Sequence, residues 1–270
     1  MNYRHAFHAG NFADVVKHAL LLDLLRAMQR KDKPFLVLDT HAGIGRYDLT
    51  SGPAEKTGEW RDGIGKLLAA RPEPLGDYLT LVDRLGLYPG SPAITAGVLR
   101  PGDRLIACEL HPEDAATLKR NFRGCPGVAV HERDGYEALR AFLPPPERRG
   151  LVLIDPPFER TDEFSVLEKH LCGAFEKFRT GVFAVWYPIK HRTPVREFFE
   201  HLKSSNLRDV IAVEFLRRPA TDPTRLNGCG LLVVNPPYGF VSAAEAMLRA
   251  IQNVLGEPGA SSLVERLIDE

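Results

Sequence analysis

Short runs of branched apolar residues recur along the chain, and most are followed by a stretch whose apolar residues have helical spacing. Runs of this length, closed by turn residues, are typical of strands buried on both faces. The pattern predicts seven strands, at residues 35–39, 104–109, 128–132, 151–155, 182–187, 210–215 and 231–234. Because helices separate most of them, we predict an α/β fold with a mostly parallel, doubly wound sheet. The last two strands have no helix between them, which predicts an antiparallel edge hairpin.

The spacing also predicts how the rest of the chain is divided. A first helix is predicted at residues 12–30, where Asn11 can cap its amino end. We expect a main domain, with an N-terminal tail, at residues 1–46 and 103–256, and a small helical insertion at residues 47–102, because that segment is too long for a simple crossover. Ser91 is expected to cap the last helix of the insertion. Residues 257–270 are expected to form a loosely tethered C-terminal tail.

Composition excludes several classes of protein. The 270 residues include 35 Lys and Arg against 35 Asp and Glu, so any nucleic-acid binding must come from a local patch. No apolar stretch is long enough to cross a membrane, and the first residues do not form a signal peptide. Four scattered cysteines and histidines without ligand spacing indicate neither disulfides nor a metal site. We therefore expect a cytoplasmic protein that binds no metal and acts as a monomer.

Acidic residues stand at or just after the ends of four successive predicted strands. They are Asp39, Glu109, Asp134 and Asp155. In an open parallel sheet the carboxyl ends of the strands meet at one crevice, where ligands bind. Glu109 is placed to bind two ribose hydroxyls, and Asp134 is placed to accept from an adenine amine while the backbone of Gly135 approaches the ring. The four acids together predict a nucleoside site.

The turn after the first strand indicates which nucleoside cofactor is expected. It contains Gly43, whose backbone can approach a ligand closely, but Asp48 occupies the third glycine position of a dinucleotide fingerprint. An acid followed by Gly-x-Gly suits a cofactor with a positive centre and no pyrophosphate, such as S-adenosyl-L-methionine. We expect His18 and His41 to hydrogen-bond polar parts of that cofactor.

The strand at residues 151–155 runs directly into Asp155-Pro156-Pro157-Phe158. An exocyclic amine is a poor nucleophile, and a carboxylate together with the rigid carbonyl of Pro156 can accept its two N–H groups and aim its nitrogen at a methyl donor. Phe158 offers a face on which a flipped base can stack. We therefore predict Asp155, Pro156 and Phe158 as the catalytic residues, although a proline-stiffened turn would also fit the motif alone.

A second motif of similar form, Asn235-Pro236-Pro237-Tyr238, follows the last predicted strand. It lies far along the chain from the cofactor-binding half, and no acidic strand ends follow it. We interpret this copy as a turn that leaves the edge hairpin.

Candidate RNA contacts lie near the start of the chain and in one long loop. The first 33 residues mix aromatic side chains with an excess of basic ones, as base stacking and phosphate contact require. Arg4 and Lys17 are the substrate-binding candidates there, although a solvated helix face would carry similar charges. Arg217, Arg218 and Arg225 lie in the predicted loop between the last two strands and could grip a phosphate.

The sequence resembles the RlmJ-type 23S rRNA adenine-N6 methyltransferases over nearly its whole length. The resemblance is carried by Tyr3-Arg4-His5, Phe7-His8-Ala9-Gly10-Asn11, Asp14, Lys17-His18, Asp39-Thr40-His41-Ala42-Gly43, Tyr88-Pro89-Gly90-Ser91-Pro92 and Asp155-Pro156-Pro157. It implies a class I, Rossmann-like methyltransferase that uses S-adenosyl-L-methionine to modify one adenine (adenine 2030 type) of bacterial 23S rRNA. One departure is Phe158, where the family commonly has Tyr.

The resemblance also implies roles for individual residues. The cofactor would be bound by His18, His41, Ser91, Glu109, Asp134, Gly135 and Asp155. Asp155 would also accept the amine, and Tyr3 would touch the RNA.

The resulting hypothesis is in-line methyl transfer to N6 of a flipped adenine in rRNA, before ribosome assembly is complete. The choice of RNA over DNA comes from the resemblance alone. The residues by themselves leave open a DNA adenine-N6 or protein amide methyltransferase, or an RNA-binding module without catalysis.

Overall fold

The computed structural model describes residues 5–50 and 52–270, so the predicted substrate contacts Tyr3 and Arg4 lie outside the described residues. The helices are α1 (Phe12–Gln29), α2 (Gly52–Thr57), α3 (Ile64–Ala70), α4 (Gly76–Leu85), α5 (Ser91–Ala96), α6 (Pro112–Asn121), α7 (Gly135–Phe142), α8 (Glu163–Lys177), α9 (Arg192–Lys203) and α10 (Phe240–Leu255). The strands are β1 (Leu36–Asp39), β2 (Arg46–Tyr47), β3 (Tyr88–Pro89), β4 (Arg104–Glu109), β5 (Val128–Glu132), β6 (Gly150–Ile154), β7 (Val182–Ile189), β8 (Val210–Leu216), β9 (Gly228–Val234) and β10 (Ser261–Ile268).

The main sheet has the strand order β10-β8-β9-β7-β6-β1-β4-β5. The strands β5, β4, β1, β6 and β7 run parallel to one another, whereas β9 runs antiparallel to both β7 and β8. The predicted α/β class, with a mostly parallel sheet and an antiparallel edge hairpin, is confirmed. In the part of the chain that the structure describes, the two strands β2 and β3 form a separate small sheet.

The predicted number of seven strands is wrong, because the main sheet has eight. The additional strand, β10, lies in the segment we expected to be a loosely tethered tail, and it pairs antiparallel with β8 along its length. Its sequence, Ser-Ser-Leu-Val-Glu-Arg-Leu-Ile, interrupts the apolar residues with polar and charged ones at an exposed edge, so it lacks the continuous apolar run that identified the buried strands. Sheet pairing with β8, rather than hydrophobicity, defines this strand.

Two layers of helices cover the sheet. One apolar core lies between the sheet and α1, α5, α6 and α10, and the second lies between the opposite face and α7, α8 and α9. Alternate residues of each central strand enter opposite cores; Leu36 and Leu38 of β1 belong to the second core, and Val37 belongs to the first.

Helix α1 is buried on nearly all sides. Asn11 caps it as predicted, because its side-chain oxygen accepts from the backbone N–H groups of Ala13 and Asp14 at 3.0 and 2.9 Å. One side of α1 faces the sheet, and the helical segment after β2 packs on the other side, with Ile64 and Tyr78 in the same core. This enclosure explains why the polar residues of α1 are also buried. Buried polar groups need partners inside the protein.

The residues of the predicted insertion, 47–102, are mainly helical, with α2, α3, α4 and α5 joined by short turns. Its boundaries as a separate part remain a prediction, since its apolar side chains share the core of α1. The expected capping role of Ser91 is wrong. Gly90 occupies the cap position of α5. Ser91 is the first helical residue, and its hydroxyl donates to Asp39.

We expect Val264→Ala in β10 to lower the free energy of unfolding by about 1 kcal/mol, because Val264 packs against the core and each buried methylene contributes about 0.8 kcal/mol. The matched variant Leu263→Ala, on the other side of the same strand and 46% exposed, should change it by less than about 0.5 kcal/mol. Urea denaturation of both variants measures the difference. Equal, negligible effects would contradict a folded role for β10.

Candidate active site

The carboxyl ends of the parallel strands open onto one crevice of about 1150 Å³. Its lining contains most of the predicted site residues that the structure describes, namely Lys17, His18, His41, Gly43, Ser91, Glu109, Asp134, Gly135, Asp155, Pro156 and Phe158. Asp39, the first of the four predicted strand-end acids, is buried and does not line the crevice. The lining residues are spread over more than half of the chain. The parallel arrangement of the strands brings them together at one edge of the sheet.

Lys17 joins the Asp155 motif to helix α1. Its Nζ lies 2.5 Å from Asp155 Oδ2 and 3.0 Å from Asp14 Oδ1, and its side chain is almost completely buried. An ammonium at the floor of the crevice between two carboxylates is not placed to grip the phosphates of a bound RNA. The geometry instead favours a role in which Lys17 holds the Asp155 carboxylate in one orientation.

Asp14 is the second anchor of this floor, and sequence reasoning missed it except through the resemblance. Its Oδ1 lies 3.2 Å from His5 Nε2 and 3.3 Å from His18 Nε2, while Oδ2 accepts from the backbone N–H of Gly10 at 3.0 Å. Burial alone would raise its pKa, but the positive charge facing it holds the pKa of Asp14 well below the usual range. Asp14 is therefore an ionised counter-charge for Lys17.

His18 is completely buried beneath the crevice. Its Nδ1 lies 3.0 Å from the hydroxyl of Tyr88, which in turn lies 3.2 Å from the hydroxyl of Tyr78. Burial lowers the pKa of His18 to about 3, against the opposing charge of Asp14, so the imidazole is neutral at physiological pH. Its Nε2 lies 3.3 Å from Asp14 Oδ1 but has no hydrogen-bond partner among the described residues. A direct hydrogen bond from His18 to the cofactor therefore stays a prediction.

Ser91 connects the helical segment to the first strand. Its hydroxyl donates to Asp39 Oδ2 at 2.6 Å, and none of the described residues donates to Asp39 Oδ1. Burial raises the pKa of Asp39 to about 7, although the Ser91 hydrogen bond opposes this rise. The spacing of 52 residues between the partners gave no sequence signal for this pair.

Glu109 closes the turn after β1 as well as facing the crevice. It accepts from the backbone N–H of Gly43 at 2.9 Å and from that of His111 at 2.8 Å. Gly43 has a φ of 58°, and a Cβ at this position would lie 2.4 Å from the hydroxyl of Tyr47. Glycine is strongly favoured at this turn, and Glu109 fixes the turn while it keeps further lone pairs.

Asp134 caps α7, since its Oδ1 accepts from the backbone N–H groups of Tyr136 and Glu137. The backbone of Gly135 packs closely against Thr40 and His41. A Cβ at this position would lie 2.4 Å from the Thr40 carbonyl oxygen and 2.7 Å from the His41 ring. Burial lowers the pKa of His41 to about 4, so this ring is neutral. Both of these backbone hydrogen bonds use Oδ1 of Asp134, so the binding of a ligand amine by Oδ2 stays a prediction.

Phe158 projects from an unusual backbone position, with a φ of 49°. Its ring makes edge contacts with Phe164 at 5.0 Å and with Trp186 at 5.9 Å between centroids. Trp186 also lines the crevice, and sequence reasoning did not single it out. These two neighbours fix the plane of the Phe158 ring at the mouth of the site.

The second motif lies at the opposite edge of the sheet, in agreement with its prediction as a turn. Strand β9 is antiparallel to β7, so Asn235 follows its end on the side where β7 begins. Asn235 donates to the carbonyl oxygens of Arg179 and Gly181 at 2.8 and 2.7 Å. The crevice lining contains no residue of this motif.

The arginines of the β8–β9 loop have an internal partner. Arg218 binds Glu257 through two hydrogen bonds of 2.7 and 2.5 Å, and Arg217 Nε lies 3.1 Å from the same carboxylate. All three predicted loop arginines line the crevice. Within residues 5–50 and 52–270, the structure contains neither a cluster of metal ligands nor a helix that could span a membrane.

Comparison with known proteins identifies the family. The family model described as "Ribosomal RNA large subunit methyltransferase D, RlmJ" matches residues 32–267. The chain belongs to the RlmJ family. Two curated RlmJ proteins are similar to this family member: "Ribosomal RNA large subunit methyltransferase J" of Haemophilus influenzae is 38% identical, covering 97% of this chain and 96% of its own length, and that of Escherichia coli is 39% identical, covering 88% of each.

The crystal structure of protein LPL1258 from Legionella pneumophila resembles this RlmJ-family chain closely. The two agree with a TM-score of 0.89 and 34% sequence identity, over 96% of this chain and 98% of that one. The similarity therefore extends over the sheet, the helices around it and the helical segment between β2 and α5.

We expect Asp39→Asn to stabilise the protein more at pH 8 than at pH 4.5, by a difference on the order of a few kcal/mol. The folded pKa of about 7 exceeds the unfolded value of about 3.9, so the wild type loses stability as the pH rises between them. Urea denaturation at both pH values measures this. Asp32→Asn, on an exposed turn, controls for general loss of a carboxylate. A pH-independent difference for Asp39→Asn would contradict the argument.

Proposed function

We propose that this RlmJ-family chain transfers a methyl group from S-adenosyl-L-methionine to N6 of one adenine in 23S rRNA, of the adenine 2030 type. The observation that carries the proposal is the Lys17–Asp155 contact at the floor of the crevice. It fixes the carboxylate of an Asp-Pro-Pro-aromatic motif beside acids from three neighbouring strands. The names of the curated relatives support rRNA as the substrate.

The donor set of the crevice fits S-adenosyl-L-methionine. Glu109 can accept from ribose hydroxyls, and Oδ2 of Asp134 can accept from the adenine amine. Asp39 does not line the crevice, but its carboxyl accepts from the hydroxyl of Ser91, which does. When bound, this cofactor supplies an electrophilic methyl group on a positively charged sulfur. A crevice of about 1150 Å³ also leaves room for a flipped nucleoside.

Asp155 and Pro156 act on the acceptor amine in this proposal. The Asp155 carboxylate accepts one N–H of N6, and the Pro156 carbonyl accepts the other, which directs the nitrogen lone pair toward the methyl donor. Because the amine is neutral before attack, Asp155 first orients it and takes a proton only as the new bond forms. Lys17 limits the Asp155 side chain to one orientation throughout.

Phe158 supplies the stacking surface for the flipped adenine. Its ring is fixed by Phe164 and Trp186, so it loses little freedom when a base arrives. A phenylalanine in place of the family's tyrosine keeps the stacking face but removes a hydroxyl hydrogen bond. Flipping costs least from a loop or from incompletely folded RNA, which supports free rRNA in the cytoplasm, before full assembly, as the substrate.

The proposal is tested by methyl transfer to three substrates: naked 23S rRNA, duplex DNA and a protein extract. Mass mapping of the product RNA should give one N6-methyladenine, at the site that stays unmodified in rRNA from a deletion strain. Transfer to DNA or protein instead would favour the corresponding alternative methyltransferase. A protein that binds RNA but shows no calorimetric binding of S-adenosyl-L-methionine would be an RNA-binding module.

We expect Asp155→Ala to lower kcat at least about a thousandfold, because the amine loses its acceptor and its orientation. Affinity for S-adenosyl-L-methionine should stay within about tenfold of the wild-type value. Single-turnover methylation and calorimetry give the two quantities. Asp77→Ala, which removes an exposed carboxylate of α4, is the control and should retain activity. Substantial methylation by Asp155→Ala would refute the assigned role.

We expect Phe158→Ala to raise KM for RNA about tenfold, since stacking of one base contributes about 1–3 kcal/mol. The variant Phe158→Tyr should stay close to wild type, because the ring face is retained. Both replacements keep an L-residue at the positive φ, so backbone strain does not distinguish them. Steady-state kinetics with the two substrates varied separately tests this. An equal loss in both variants would contradict a stacking role.

A further inference from the structure

The second motif, Asn235-Pro236-Pro237-Tyr238, has no part in the crevice but is a firmly held structure. Asn235 has a φ of 54° and is bound to two backbone carbonyls. Arg30 Nη1 donates to the carbonyl oxygen of Tyr238 at 2.6 Å, which ties the motif to the end of α1. The Tyr238 side chain itself is 95% exposed. A fixed backbone therefore presents an aromatic ring almost entirely to solvent.

The turn after α1 lies beside Tyr238. Two neighbouring guanidinium groups hold its backbone through hydrogen bonds. Arg100 donates to the carbonyl oxygens of Gln29 and Lys31, and Arg149 donates to those of Met28 and Lys33. Both guanidinium groups lie 5.9 Å from the Phe35 ring centroid. Burial and the charge of Arg100 lower the pKa of Arg149. Like charges are thus concentrated beneath this turn.

The turn itself exposes further basic side chains. Arg30, Lys31 and Lys33 are exposed, and neither lysine has an ion-pair partner among the residues that the structure describes. Three acids belong to this region: Asp32 is exposed, Asp23 of α1 lies near enough to Arg30 to feel its charge, and the buried Asp103 is already bound by Arg100. The region is therefore positively charged, although the whole chain has no net charge.

We propose that Arg30, Lys31, Lys33 and Tyr238 form a second RNA-binding surface, called here the amino-edge surface. It would bind a segment of the substrate rRNA away from the target adenine, and the inference rests on the proposed function in this respect. An exposed aromatic ring among cations is the combination that single-stranded nucleic acids require, because bases stack on the ring and phosphates pair with the cations. An acidic protein would use the charges but would not need the ring.

The distance between the two sites determines which RNA can reach both. Arg30 follows Lys17 by thirteen positions in and directly after α1, which corresponds to about 20 Å along the helix axis. A stacked strand advances about 3.4 Å per nucleotide, so about six stacked nucleotides would separate the target from the second contact. A short hairpin that contains only the target loop would occupy the crevice alone, whereas a longer rRNA fragment would reach the amino-edge surface.

The test compares Tyr238→Ala, Lys31→Gln and Lys33→Gln on a short target hairpin and on a long rRNA fragment. Tyr238→Ala should raise Kd and KM for the long fragment about tenfold and leave both unchanged for the hairpin, with kcat unchanged on both. Each lysine variant should reduce the salt dependence, the slope of log K against log salt, by about 0.7–0.9 for the long fragment only. Lys169→Gln, an exposed lysine on α8, is the matched control.

Equal effects on hairpin and long fragment, or unchanged binding of the long fragment, would overturn the proposal, and the latter result would leave the surface to a protein partner. Thermal unfolding verifies that the variants remain folded. Direct binding is measured separately from methylation. A failure of the proposed methyl transfer would therefore appear as wild-type inactivity on both RNAs and would remain distinguishable from a failure of this inference.

Discussion

The ion pair between Lys17 and Asp155 is the contact on which the arrangement of the active site depends. It joins the buried helix α1 to the end of the central strand β6, two elements that are far apart in sequence. Removing the ammonium would take from Asp155 its buried counter-charge and leave Asp14 with only His5, His18 and the backbone of Gly10 as partners, and incompletely paired buried charges are destabilising. Asp14, the second partner of Lys17, lies on the same enclosed helix. Because α1 is buried, water screens the charges of Asp14, Lys17 and Asp155 only weakly, and each charge can orient the next.

The helical segment between β2 and α5 also contributes hydrogen bonds to the floor of the crevice. The Ser91 hydroxyl holds one oxygen of Asp39, and the Tyr78 and Tyr88 hydroxyls connect that segment to His18. These groups are polar and buried, so each depends on its partner to satisfy its hydrogen-bonding capacity. The segment therefore forms part of the wall of the site, which explains its packing into the core of α1. This also explains why a boundary between it and the main domain has no clear physical meaning at the crevice.

The elements that sequence predicted well are those whose signal is local. Strand β6 and the acids Glu109, Asp134 and Asp155 follow from apolar runs and their ends, and Asn11 follows from helix-capping chemistry. Strand β10 was missed because its residues face solvent on one side and its pairing with β8 is not encoded by hydrophobicity. The contacts of Lys17 with Asp155 and of Ser91 with Asp39 were missed because each joins distant segments. The neutral state of His18 and His41 likewise depends on burial, which a sequence does not report.

The two Asx-Pro-Pro-aromatic motifs show how strand direction determines what a motif can do. Both begin with a short polar side chain after a buried strand, and both hold an aromatic ring on a rigid backbone. Because β6 is parallel and β9 is antiparallel to their shared neighbour β7, the motifs lie at opposite edges of one sheet. Asp155 meets Lys17 and a crevice lined with acids, whereas Asn235 meets only backbone carbonyls and Tyr238 stands in solvent. The proposed methyl transfer to a base requires enclosure and a carboxylate with a counter-charge, and of the two motifs the first has both.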